Sequence, residues 1–81
     1  MNPEKMMHKG QLAEAKHKYK ELDMKASGLI TLIRQYLNPY ERDITKVRIR
    51  EAALMMDDLE KIHDELLALR RQIDELEADL G

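Results

Sequence analysis

Cysteine, tryptophan and phenylalanine are missing from this 81-residue chain, serine occurs only as Ser27, and tyrosine occurs three times. Without cysteine there are no disulfides and no thiolate metal ligands, and nothing calls for an oxidising compartment. The scarcity of aromatics beside abundant Leu, Ile, Met and Ala is the composition of long helices rather than sheets, because straight-chain residues lose little rotamer freedom in a helix. The longest stretch free of charge is Ala26–Ile33, bounded by Lys25 and Arg34 and far too short to span a bilayer. The first eight residues contain no apolar core of signal-peptide length, so a soluble cytoplasmic protein is expected. A chain of this size buries only about 60% of its unfolded surface. With disulfides and thiolate-bound metals excluded, oligomerisation is the support left to it.

Charged residues make up 37% of the chain, and the net charge of -2 is unevenly spread. Residues 1–25 carry six basic and four acidic groups, residues 26–56 five and three, and residues 57–81 three and nine. The segment charges are therefore +2, +2 and -6. A basic first segment and an acidic last one attract each other if the chain doubles back.

Periodicity is the informative signal. Spacings of three and four alternate without a fault through Leu12, Ala15, Tyr19, Leu22, Ala26, Leu29, Ile33 and Tyr36. They do so again through Ala52, Met55, Leu59, Ile62, Leu66, Leu69, Ile73, Leu76 and Leu80. Each series is the a/d stripe of a heptad helix. Between them, Pro39 disfavours helix at Asn38 and ends the first helix near Leu37. Two restarts are possible, one capped by Asn38 with Pro39 in first position and one capped by Asp43. The stripe favours the later. The spacing thus predicts one domain over residues 1–81: helix one over about 3–37, a turn over about 38–43 and helix two over about 44–80.

A short connection makes the helices antiparallel neighbours. Pairing Tyr36 with Ala52 sets Ile33 opposite Met55, Leu29 opposite Leu59, Ala26 opposite Ile62, Leu22 opposite Leu66 and Leu12 opposite Leu76. On the flanks Lys25 nears Glu65, Asp23 nears His63 and Lys9 nears Glu77, while Lys16 near Arg70 is a misfit. The expected fold is all-α: a two-helix antiparallel coiled-coil hairpin that dimerises into a four-helix bundle.

Outside the stripe, apolar residues gather toward the turn. Ile30, Leu37, Ile49 and Met56 occupy e positions, Ala53 and Leu67 b positions, and Leu32 lies beyond the stripe as well. In an antiparallel pair the e edges share one side, which gives the hairpin an apolar flank uncommon on a soluble monomer. Ile30, Leu32, Leu37, Ile49, Ala53, Met56 and Leu67 form the expected partner interface, with a second copy as the expected occupant. A third helix, a folded-back N-terminus or another helical protein are the alternatives.

No catalytic, cofactor or metal site is expected. His8 and His17 fall on different faces of one helix, and His63 does not face its neighbour Asp64. The carboxylate pairs Asp57-Asp58, Asp64-Glu65 and Asp74-Glu75 lie outside the stripe, without the concave pocket that shifted acid–base groups need. Arg34, Arg42, Lys46, Arg48 and Arg50 near the turn offer a second reading, a nucleic-acid contact with Tyr36 and Tyr40 available for stacking. Glu41, Asp43 and Glu51 dilute that footprint. The run Leu69-Arg70-Arg71-Gln72-Ile73-Asp74-Glu75-Leu76 resembles the opening of the first helix in the all-helical chorismate mutase family. The resemblance spans eight residues at the end of the chain, the remaining helices of that family's active site do not follow, and no residue role is carried over. The expected function is a non-enzymatic structural, adaptor or chaperone-like interaction protein.

Overall fold

The computed structural model describes residues 3–80. Two helices make up nearly all of it: α1, Pro3–Tyr36, and α2, Ile49–Leu80. Pro3 opens α1, where a missing amide hydrogen costs nothing, and Glu4 places a carboxylate in the first turn, where the helix dipole favours it. Arg34 sits in the last turn with the complementary charge. The final bond of α1 runs from the Leu37 amide to the Ile33 carbonyl at 2.9 Å. The hairpin is all-helical, and among the described residues there is no strand.

The connection is longer than a turn over 38–43, and α2 begins five residues after the expected start at 44. Both cap candidates are used, but neither opens α2. Asn38 accepts a 3.0 Å bond from the Tyr40 amide on its side chain and a 3.2 Å bond from the Glu41 amide on its carbonyl. This is a β-turn with Pro39 in the position its fixed φ suits. Glu41 then accepts from the Asp43 amide at 3.1 Å. Asp43 caps only a short 3-10 turn, Ile44–Lys46, taking bonds from the Thr45 amide at 3.0 Å and the Thr45 hydroxyl at 2.6 Å. Ile44, Thr45, Val47 and Ile49 are β-branched and stiff at χ1, which weakens helix in this stretch. At Val47 the chain becomes extended (φ -74°, ψ 131°), and the Ala52 amide bonding the Arg48 carbonyl at 3.1 Å starts the regular helix. The stripe restarts at the same residue.

Packing follows the stripe. All seventeen stripe residues are buried or half-buried, and outside it only His8 and Val47 are not exposed among the residues whose burial is described. Ala15, Leu69 and Ile73 form a buried cluster with Leu12, Tyr19 and Leu22 packed against it, as the antiparallel register requires. Among the described residues no side chain is completely enclosed, because two helices make one seam rather than a layered core. The molecule is a rod of 65 × 15 × 14 Å with a radius of gyration of 18.4 Å. A compact chain of this length would have a radius near 12 Å.

Candidate partner interface

The flank is built by the heptad itself. Residues one step past the stripe on each helix lie along one edge of the rod, and near the turn these are Ile30 and Leu37 on α1 and Ile49 and Met56 on α2. They are 46%, 45%, 50% and 49% exposed. Ala53 lies beside them and is exposed, and Leu67 stands farther along the same side, also exposed. Leu32 belongs elsewhere. It falls on the opposite edge, where it lines a groove of about 490 Å³ with Leu29, Ile62, Gly28, Lys25, Asp58 and Lys61. The seven expected interface residues therefore divide into six on one side and one on the other. The signal that separates them is heptad position, e and b against g.

Toward the termini the apolar edge gives way to charge. Lys16 bonds Glu77 at 3.0 Å, both side chains about half-exposed. The expected Lys9–Glu77 and Asp23–His63 pairs give way to this one because helical side chains lean toward the N-terminus of their own helix, and among the described residues Lys25 and Glu65 form no ion pair. In an antiparallel pair Lys16 and Glu77 lean toward each other, whereas Lys9 and Glu77, or Asp23 and His63, lean apart. Glu77 is thus taken by Lys16, and His63 has Asp64 at 3.6 Å instead. His17 and Glu21, at 3.0 Å, form an exposed pair along α1.

Of the basic residues of the turn region, Lys46, Arg48 and Arg50 line one open depression with Glu51, and Arg34 lines another. Arg48, itself exposed, lies over the Tyr36 ring, 5.9 Å from its centroid, in a cation–π contact. Arg34, Arg42, Lys46 and Arg50 are exposed, and none of them is ion-paired among the described residues. Tyr40 projects at the tip, 89% exposed, beside an open depression of about 580 Å³ that Leu37 and Pro39 also line. One carboxylate is perturbed: the Thr45 hydroxyl and amide hold Asp43 below the ordinary aspartate range. This follows from the two hydrogen bonds to the ionised form, and it belongs to the turn's local structure rather than to a chemical site.

Among the described residues no group of three or more His, Asp or Glu is arranged to hold a metal ion, and no helix is long and apolar enough to cross a membrane. Comparison with protein families, with curated proteins and with solved structures gives no match to this chain.

Proposed function

We propose that the hairpin is a non-enzymatic protein–protein interaction module that pairs with a second copy of itself through the flank of Ile30, Leu37, Ile49, Ala53 and Met56, forming a four-helix bundle. The observation that carries this reading is the amount of surface left uncovered. The chain exposes 6841 Å². A compact monomer of 9.5 kDa exposes roughly 5,000 Å². The difference exceeds the roughly 800 Å² that each partner contributes to a standard interface. Most of the exposed large apolar side chains among the described residues lie between Met24 and Met56, and each, once covered, contributes about 1.5–3 kcal/mol. A second copy brings a flank of the same chemistry, which is what an isologous pairing needs.

Sedimentation tests the reading directly. The wild type is expected to sediment as a dimer at micromolar concentration, and Leu37→Glu with Met56→Lys is expected to shift it to monomer, because each charge would be stranded in an apolar contact. Asp74→Lys, in the charged terminal half, is expected to leave the dimer intact. A wild type sedimenting at 9.5 kDa would defeat the proposal. A double mutant that stays dimeric would move the interface to another face.

A further inference from the structure

We infer that the tip of the hairpin carries a second binding surface, a belt of basic and tyrosine side chains that takes single-stranded nucleic acid. This surface does not depend on the self-association proposed above. Three open depressions follow one another around the turn end of the rod. Arg34, Leu37 and Tyr40 line the first, Tyr36, Lys46 and Arg48 the second, and Lys46, Arg48 and Arg50 the third. Gln35 is shared by the first and second, and Lys46, Val47 and Arg48 by the second and third, so the three are contiguous. Four cations and two tyrosines are thereby gathered on one path. Leu37 and Ile49 of the apolar flank border its two ends, so belt and flank meet at the tip without sharing a charged residue.

None of the four cations is ion-paired among the described residues. Glu41 and Glu51 line the path as well, which leaves it at +2. Glu41 spends an oxygen on the Asp43 amide, and Asp43, the third carboxylate of the region, spends one on the amide and hydroxyl of Thr45. A row of uncompensated cations attracts a phosphodiester chain whatever its sequence. Residues 57–81, with three basic and nine acidic groups, repel such a chain and confine it to the turn end. Tyr40 narrows the class further. Its ring is 89% exposed, and the turn that carries it is held by Pro39 and by the Tyr40 amide donating to the Asn38 side chain at 3.0 Å. An exposed ring on a fixed turn beside cations is a stacking platform for an unpaired base. A duplex keeps its base faces stacked inside and gives that ring nothing to hold.

The test is fluorescence anisotropy of the full chain with a labelled oligothymidylate of about 12 nucleotides. Binding is expected at low salt. With three to four phosphates neutralised, affinity is expected to fall roughly 15- to 60-fold between about 50 and 200 mM salt. Lys46→Glu with Arg50→Glu is expected to weaken binding more than about tenfold and to flatten the salt dependence. Lys18→Glu with Lys20→Glu makes the same charge change in the terminal half of α1 and is expected to alter affinity less than about threefold. Tyr40→Ala is expected to weaken binding roughly fivefold or more with the salt dependence unchanged, because it removes stacking and no charge. Circular dichroism checks the helicity of each variant. Should the tip charge variant lose helicity, Tyr40→Ala and the salt dependence of the wild type decide. Equal weakening by the two charge variants overturns the placement at the tip. A duplex of the same length that binds as tightly as the single strand overturns the stacking assignment. No anisotropy change at low salt, or binding to phosphatidylserine vesicles in place of the oligonucleotide, overturns the proposal.

Discussion

In the terminal half of the hairpin Ala15, Leu69, Ile73 and Leu76 are all buried, and Lys16 reaches across one edge to Glu77. In the turn half Leu29, Met55 and Leu59 hold equivalent stripe positions and remain half-exposed, leaving Ile33 with the alanines Ala26 and Ala52 as the buried members. The stripe is continuous, so the difference comes from what flanks it. At the terminal end the edges carry Lys16, Lys18, Gln72 and Glu77, whose long stems can lie over the seam while their polar ends stay in water. Near the turn the edges carry Ile30, Leu32, Leu37 and Met56. Such residues cover a seam no better than those stems do, and they add apolar surface of their own. The seams themselves are covered alike, since Leu12, Tyr19, Leu22, Leu66 and Leu80 toward the termini are half-buried too, and the two halves differ in what their edges carry.

The most severe way to break the terminal half is Ile73→Ala. It removes a buried side chain from the Ala15–Leu69 cluster and is expected to cost about 2–5 kcal/mol in thermal or denaturant unfolding. That cost is expected to be the same at low and high protein concentration. Leu59→Ala makes the corresponding change in the turn half. Leu59 is half-exposed in the single hairpin, so the cost is expected to be smaller in dilute protein and to grow as concentration rises and a second copy covers the site. Equal concentration dependence for the two variants would erase the contrast between the halves.

Gly28→Ala has a smaller expected effect, of opposite sign. No atom lies within 4 Å of where its Cβ would stand, and its position inside an exposed stretch of α1 predicts stabilisation of about 0.5–1 kcal/mol. If the variant fails to raise the melting temperature, something packs into the groove beside Leu32, and that edge carries a contact as well. Smaller again is the Lys16–Glu77 pair. Both side chains are about half-exposed, and a double-mutant cycle with Lys16→Gln and Glu77→Gln is expected to return about 0–1 kcal/mol, falling with salt.

The least effect belongs to the tip. Asp43 has a depressed pKa in the folded chain, so its contribution is present above the unfolded aspartate pKa and is lost as pH falls through the lower folded value. Amide exchange at Thr45, read by NMR, is expected to lose protection on acidification through that range. In Asp43→Asn this pH dependence is expected to disappear, while the buried terminal cluster stays unchanged.

Most of the architecture was legible in the chain because the seam obeys a spacing rule. All seventeen residues picked by alternating threes and fours are buried or half-buried, and outside them only His8 and Val47 are so among the residues whose burial is described. The start of α2 was not legible. Asn38 and Asp43 both have the chemistry of helix caps, and the same hydrogen bonds serve a β-turn and a 3-10 turn equally well. Nor could spacing reveal that Leu69 would be buried and Leu59 left half-open, since both occupy stripe positions and the difference depends on side chains lying over the edges. Heptad position places six interface candidates on one flank, whereas apolarity and nearness to the turn alone would group Leu32 with them. Its g position already assigned it to the other edge. Position counting without the lean of helical side chains does not reveal the Lys16–Glu77 pair.

The position of the buried cluster also governs the order in which the hairpin assembles. Tyr36 and Ala52 are joined by a short connection, whereas Ala15 and Ile73 are separated by nearly the whole molecule. Closing roughly 60 residues of chain rather than roughly 15 costs about 1 kcal/mol more in loop entropy. The Ala15–Leu69–Ile73 cluster is thus reached later from the unfolded chain than the contacts beside the turn. Replacements near the tip should therefore slow folding, and replacements in the terminal cluster should chiefly hasten unfolding. The lifetime of the closed hairpin is set at the end of the rod farthest from where its two helices first meet.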